Sequence, residues 1–259
     1  MRISAPLPVM QLAKAGPRRT IDDLRTARRE LALPAHLTEA AKRFGNREGG
    51  TLFIALVAAF KTLLHRYLDQ DDLRVATLVA NRNRVETKGL VGPLVNTVIL
   101  RTDLGGEPSL REVMRRVRAT TLAAFARQDL PFEELVASLE RERAFEPGAL
   151  APVMITLQNA TLRPVASSRR ALAFEEANPS MLMPLVTITT SDIILMLHEG
   201  AEGITGSCVY KPHLFHVKTI DRLLRDFRSV LEQMVAYPNR SVSAIRVSGN
   251  KKLNPQVHL

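Results

Sequence analysis

The stretch Arg127-Gln128-Asp129-Leu130-Pro131-Phe132-Glu133-Glu134-Leu135, RQDLPFEEL, interrupts a helical pattern in mid-chain, and its reading decides how the chain folds back on itself. Upstream of it Leu110, Val113, Val117, Leu122 and Phe125 recur at helical spacing, so residues 109–126 form a helix with an apolar stripe inward and arginines outward. Pro131 cannot continue that helix but suits the first turn of a new one, and Glu133 and Glu134 favour its positive N-terminal end. The stretch therefore reads as a helix stop and restart.

Working outward, Pro34 introduces a helix over residues 35–44, and the Gly49-Gly50 break separates it from a second over residues 51–68. In the second, Leu52, Leu56, Ala59, Leu63 and Tyr67 make one stripe. Residues 73–80 alternate like a strand, and residues 95–102 read as a second. Past Leu139, Pro147 and Gly148 mark a loop. Four strand-like runs follow, over residues 153–158, 171–175, 185–198 (long enough to hold a bulge) and 203–210. Pro212 then opens a last helix over residues 213–235, with Phe215, Ile220, Leu223, Leu224, Phe227, Val230, Leu231 and Met234 on its apolar side. Residues 1–30 are a lead-in, residues 31–247 the compact region and residues 248–259 a tail. The expected class is α/β, an α+β sandwich with a mixed β-sheet and flanking helices.

Composition excludes several classes. With 259 residues and 46% hydrophobic content the chain has ample material for a core, and 24% charged residues with mean hydropathy −0.02 do not describe a disordered chain. The best apolar run, residues 52–60, is too short to span a bilayer, and the N-terminus lacks a signal-peptide pattern, which points to the cytoplasm. Cys208, the single cysteine, excludes an internal disulfide and sits in an alternating run that favours a buried thiol over a nucleophile. His213 and His216 have no acid or thiol at ligand spacing, so no metal site is expected. The net charge of +10 and pI near 10.3 attract something acidic. Scattered arginine pairs, three tyrosines and no tryptophan argue against nucleic acid.

Catalytic signatures are sparse. Neither a phosphate-cradling glycine motif nor a GxSxG elbow is present. The acidic pairs Asp71-Asp72, Glu133-Glu134 and Glu175-Glu176 are adjacent in sequence and point in different directions. His198, late in an apolar run, is the best lone candidate for a base, although a hydrogen-bonded strand-end histidine is the commoner outcome.

Several stretches taken in order resemble the C-terminal half of a nonribosomal peptide synthetase condensation domain. They are residues 51–67, Ala80-Asn81-Arg82-Asn83-Arg84, Leu90-Val91-Gly92-Pro93-Leu94-Val95-Asn96-Thr97 with Leu100-Arg101-Thr102-Asp103-Leu104, and RQDLPFEEL. The likeness continues through Val153-Met154 to Leu157-Gln158-Asn159 and over residues 210–238, so it covers about residues 30–247. There are departures. Gly92-Pro93-Leu94-Val95-Asn96 stands for the family's G-x-F-V-N, and Arg127 replaces the histidine of H-Q-D-x-P-F-E. Of R-D-x-S-R-x-P-L, Arg143 and Leu150 fit while Ala144, Glu146, Pro147 and Ala149 do not.

The resemblance implies a chloramphenicol acetyltransferase-like lobe, one of two that meet in a V around a channel. The phosphopantetheine arms of carrier proteins enter that channel, and the family joins a donor acyl or peptidyl thioester to an acceptor amine. It implies Asn96, Gln158, Asn159 and Arg143 as channel or interface groups. Gly92, Gln128, Asp129, Pro131, Phe132 and Glu133 take architectural roles, with Asp129 and Glu133 as caps or network members. It implies no metal and no directly bound cofactor, only the phosphopantetheine of peptidyl or acyl carrier partners. The family's H-H-x-x-x-D-G motif belongs to the other lobe, and this sequence has no His-His pair. Met1 falls where the family's first lobe is ending, so the expectation is half an active site, an acyltransferase (condensation) relative whose catalytic histidines lie elsewhere. No catalytic residue is assigned in this chain. The tail shows no adenylation or carrier domain, so carriers are met in trans. Three functions stay open: an enzyme completed by an N-terminal condensation lobe in trans, a non-catalytic module that binds an acidic carrier or its own copy as a homodimer, and, last, a basic nucleic-acid binder.

Overall fold

The computed structural model describes residues 25–82, 85–90, 92, 94–141, 150–158 and 191–248. In chain order they form β1 (Ala27–Pro34), α1 (Ala35–Arg47), α2 (Leu52–Leu68), β2 (Asp72–Val79), α3 (Val85–Lys88), β3 (Asn96–Asp103), α4 (Leu110–Phe125), α5 (Phe132–Arg141), β4 (Val153–Gln158), β5 (Ile193–Gly200), β6 (Gly203–Tyr210), α6 (Val217–Ala236) and a 3-10 turn, Val242–Ala244. The expected strand over residues 171–175, the loop residues Pro147 and Gly148, and the first part of the 185–198 run lie outside the described residues.

Local chemistry sets these bounds. The Thr51 hydroxyl accepts from the Ile54 N–H at 3.3 Å to cap α2, and the Ser109 hydroxyl accepts from the Glu112 N–H at 3.2 Å to cap α4. The β5–β6 hairpin turns through Ala201 and Glu202 into Gly203, whose φ of +112° and position, with a Cβ there only 2.4 Å from the Leu33 carbonyl oxygen, exclude any side chain. The structure departs from the sequence pattern in places: α1 runs on to Arg47 instead of ending at residue 44. The last helix starts at Val217 and not at residue 213, because the N–H groups of Leu214 and Phe215 turn back onto the Lys211 carbonyl and His216 takes an extended cap conformation. Strand β1 has no counterpart in the sequence pattern. Only Leu31 and Leu33 of it are buried, and its charged residues give it the composition of a protected edge strand.

The strands form one mixed sheet in the order β1-β6-β5-β4-β2-β3, with β2–β4 and β4–β5 parallel and the other pairs antiparallel. This is the mixed sheet with flanking helices that the sequence leads one to expect. The first face carries Leu33, Val75, Leu100, Val153, Leu195 and Ile204 into a core closed by α1, α2, α4 and α6. The second face carries Ala76, Met154, Ile194 and Met196 against Phe132 and Leu139 of α5 and against Leu150. Among the described residues no single helix is long and apolar enough to cross a membrane. The bent pair α1 and α2 passes that test only together, and α2 is spent on the core, with 13 residues buried.

The segment after α6 returns to the start of α4. The Pro238 and Arg240 carbonyls accept from the N–H groups of Arg111 and Leu110 at 2.8 and 2.9 Å, which satisfies part of the otherwise unpaired first turn of α4.

Lys61, in the middle of α2, is fully buried. Its ammonium donates to the Leu100 carbonyl at 2.7 Å and the Thr102 hydroxyl at 2.6 Å, with the Leu73 carbonyl at 3.5 Å, and Thr102 bonds Thr120 of α4 at 2.8 Å. Burial lowers its pKa from 10.5 to about 7, opposed by the charge of Asp72. The unfolded chain therefore holds this proton more tightly, and stability gains with pH between those two values. We predict that the urea midpoint of the wild type rises relative to Lys61→Met from pH 7 to pH 9.5 and keeps a constant offset below pH 6. A constant offset across the whole range would contradict a depressed Lys61.

Candidate functional site

Because β2, β4 and β5 run parallel, their carboxyl ends share one end of the sheet, where open α/β sheets commonly bind ligands. There β3 begins, the loop after β2 arrives, and α4 gives way to α5. Two side chains tie these loops. Arg82 donates through Nη1 to the Thr87 and Leu90 carbonyls at 2.9 and 2.6 Å and through Nη2 to the Gly92 carbonyl at 3.0 Å, which folds the loop around its guanidinium. Asn96 donates through Nδ2 to the Gln128 and Leu130 carbonyls at 2.7 and 2.8 Å. Its Oδ1 accepts from the N–H groups of Thr97 and Phe132 at 2.9 and 3.1 Å. The donors and acceptor of its amide are thus committed to the helix reversal.

RQDLPFEEL stops α4, turns through residues 126–131 and restarts as α5, with the Pro131 carbonyl accepting from Leu135 N–H at 3.2 Å. Phe132 is buried against the second face of the sheet, and Asp129, Glu133 and Glu134 are exposed. Around the same end Val85, Leu90, Val95 and Leu130 are exposed apolar side chains.

On the second face, beyond the part that α5 covers, cross-strand pairing aligns Gln158, His198 and Thr205 in one row. The next row aligns Thr156, Met196 and Ser207. Thr156 is buried, and its hydroxyl has no hydrogen-bond partner among the described residues. Gln158 is exposed and His198 half-buried. The structure therefore brings Gly92, Asn96, Gln128, Asp129, Pro131, Phe132 and Glu133 to one end of the sheet and puts Gln158 at the end of β4. Arg143 and Asn159 lie outside the described residues. Sequence reasoning missed Arg82 as the loop's organiser. Its signal was present, an arginine just after a strand and before a glycine-containing loop, but the three carbonyls it binds carry no mark in the sequence.

Electrostatics give this face no strongly activated group. Large shifts fall on groups away from it: Lys61, Tyr67, whose hydroxyl is pushed up by burial and by the Asp226 carboxylate, Cys208, pushed up by burial to about 12, and Glu112, held down to about 2 by its bonds to Arg115 and Arg116. Among the described residues no cluster of three or more metal-ligating side chains exists.

A family model described as Condensation domain matches residues 1–252. The chain is 36% identical over 239 residues to one of the linear gramicidin synthase proteins of Brevibacillus parabrevis, covering 92% of this chain and 5% of that protein. It is 36% identical over 236 residues to the chondramide synthase of Chondromyces crocatus, covering 91% and 6%. The solved X-domain from teicoplanin biosynthesis superposes with TM-score 0.71 at 22% identity, over 92% of this chain and 54% of that one. The chain thus spans about one-twentieth of these synthases and about half of that domain. The fold is the chloramphenicol acetyltransferase-like one that the sequence resemblance implies.

Two measurements check the site's framework. Asn96→Ala should lower unfolding free energy by about 2–3 kcal/mol, four hydrogen bonds at roughly 0.5–1.5 kcal/mol each with water recovering part. Asn96→Asp should cost at least as much, since a carboxylate oxygen then faces two carbonyls; a loss under about 0.5 kcal/mol in either variant would remove Asn96 from the reversal. Cys208 should stay inert to a thiol reagent at pH 8 until the chain unfolds, whereas rapid labelling of the native chain would contradict its burial.

Proposed function

Since the chain belongs to the condensation-domain family, we propose that it supplies the C-terminal lobe of a peptide-bond-forming unit, residues 31–247, working in the cytoplasm on substrates tethered to carrier proteins. The reaction is aminolysis of a thioester. The acceptor amine attacks the donor carbonyl carbon, the C–S bond breaks, the thiolate of the donor's phosphopantetheine leaves and the amine loses a proton.

The observation that carries this reading is the division of the second sheet face. Helix α5 covers Ala76, Met154 and Ile194, while the Gln158–His198–Thr205 row at the carboxyl ends of β4 and β5 lies beyond it. A row of amide, imidazole and hydroxyl suits the amide-bearing phosphopantetheine arm, which needs donors and acceptors along its length more than charge. Gln158 is the candidate that fronts this row. The sequence holds no His-His pair, so on this reading the H-H-x-x-x-D-G histidines are supplied by other polypeptide. Carrier proteins are acidic in this family, and the outer side of α4, with exposed Arg111 and Arg115 and half-buried Arg116 and Arg118 against Glu112 and the neighbouring Glu48, offers them a net positive surface.

A second reading, a non-catalytic module that pairs with its own copy, draws on the exposed Val85, Leu90, Val95 and Leu130. One experiment separates the two. Donor- and acceptor-loaded carrier proteins are mixed with this chain alone, then with a separately expressed N-terminal condensation lobe that carries H-H-x-x-x-D-G. Amide product is expected only in the mixture. Product from the chain alone would overturn the half-site account. No product in the mixture, together with concentration-dependent dimerisation in sedimentation, would establish the self-pairing reading.

A further inference from the structure

After the 3-10 turn the chain runs along α6 as a short extended segment, residues 245–248, held by two α6 side chains seven residues apart and so on one face of the helix. Gln233 reads the main chain of Arg246 in both directions: Nε2 donates to its carbonyl at 2.9 Å, and Oε1 accepts from its N–H at 3.0 Å. This is the pairing a neighbouring strand would give. Asp226, itself buried, accepts the Ser248 N–H on both carboxylate oxygens at 3.0 Å and also accepts the Ser248 hydroxyl. The Tyr67 hydroxyl of α2 donates to the same carboxylate at 2.5 Å. The strap's side chains alternate: Ile245 is buried and Val247 packs on the core, whereas Arg246 and Ser248 are exposed.

Main-chain recognition by side chains, with two small apolar anchors, is a modest hold. α6 itself buries Ile220, Leu223, Phe227, Val230, Leu231 and Met234 on its apolar face. We propose that residues 245–248 are a detachable clasp: closed, the Gln233 and Asp226 contacts fix the direction in which the polypeptide leaves the body beside α2 and α6; open, they release it while the body stays folded. Of the strap, Gln233 contacts only the main chain of Arg246, whereas Asp226 takes both the N–H and the hydroxyl of Ser248, and Ile245 and Val247 supply the apolar anchors. What matters is an N–H at position 248 and the spacing of the two helix side chains. The device gives residues 245–248 two states, rigid and free.

Amide hydrogen exchange on the full chain tests this. In the wild type the Arg246 and Ser248 amides should exchange at least about 100-fold slower than in an unstructured peptide, yet at least about 10-fold faster than Leu63 of α2 and Leu231 of α6. Gln233→Ala with Asp226→Asn should remove the protection at Arg246 and Ser248 and leave Leu231 within a factor of about three. Ser248→Pro deletes the donor without touching the body, and it should free Arg246 in the same way if the Asp226 variant folds poorly. Protection at Arg246 unchanged by Ser248→Pro would overturn the clasp. A loss that spreads in proportion through α2 and α6 would show the segment to be part of the global folding unit, which also overturns it.

Discussion

Asn96 stands where β3 begins, and its amide holds the Gln128 and Leu130 carbonyls and the Phe132 N–H. A helix that stops at the end of a sheet leaves carbonyls without partners, and a helix that restarts leaves N–H groups without partners. One amide answers both because it offers two donors and an acceptor in a single plane. The consequence reaches far. With the reversal pinned to β3, α5 must run back across the second face, and Phe132 enters the cluster with Ala76, Met154 and Ile194. How far α5 reaches decides which part of that face is apolar and covered and which carries Gln158, His198 and Thr205. That polar row is what the reversal leaves over.

The opposite face needs a different solution. Helix α2 is wrapped by α1, α4, α6 and the sheet, and this placement forces Lys61 to find its partners inside. A buried ammonium without acceptors would cost several kcal/mol, so the Leu100 carbonyl and the Thr102 hydroxyl define where α2 sits over β3. The Thr102–Thr120 contact passes that register on to α4. Pro238 and Arg240 satisfy the first turn of α4, and Arg246 pairs with Gln233 of α6. Both faces are thus set by polar side chains whose partners are mostly backbone atoms.

That dependence explains what the sequence could show. Periodicity located α2, α4 and β6 to within a residue or two, since each has a clean apolar pattern. It missed β1, an edge strand with Arg28, Arg29 and Glu30 in its middle and only Leu31 and Leu33 buried. It began α6 too early because Pro212 suits a helix start and Phe215 is buried in the turn before it, where it mimics the helical stripe. The stop and restart at RQDLPFEEL was legible from Pro131 and the two glutamates. The role of Asn96 in it was not, because Asn96 lies more than 30 residues upstream and binds carbonyls, which every residue has. Lys61 and Arg82 were opaque for the same reason.

The central proposal is that the Gln158–His198–Thr205 row, which α5 leaves uncovered, receives the substrate arm. It is tested most directly by proximity labelling in the assembled unit. A carrier protein bearing a phosphopantetheine arm with a haloacetyl terminus is offered to His198→Cys, and in parallel to Arg225→Cys on the outer surface of α6; native Cys208 is buried and should not compete. The account predicts alkylation at position 198 and little at position 225. Equal labelling at both positions, or labelling only at 225, would contradict it.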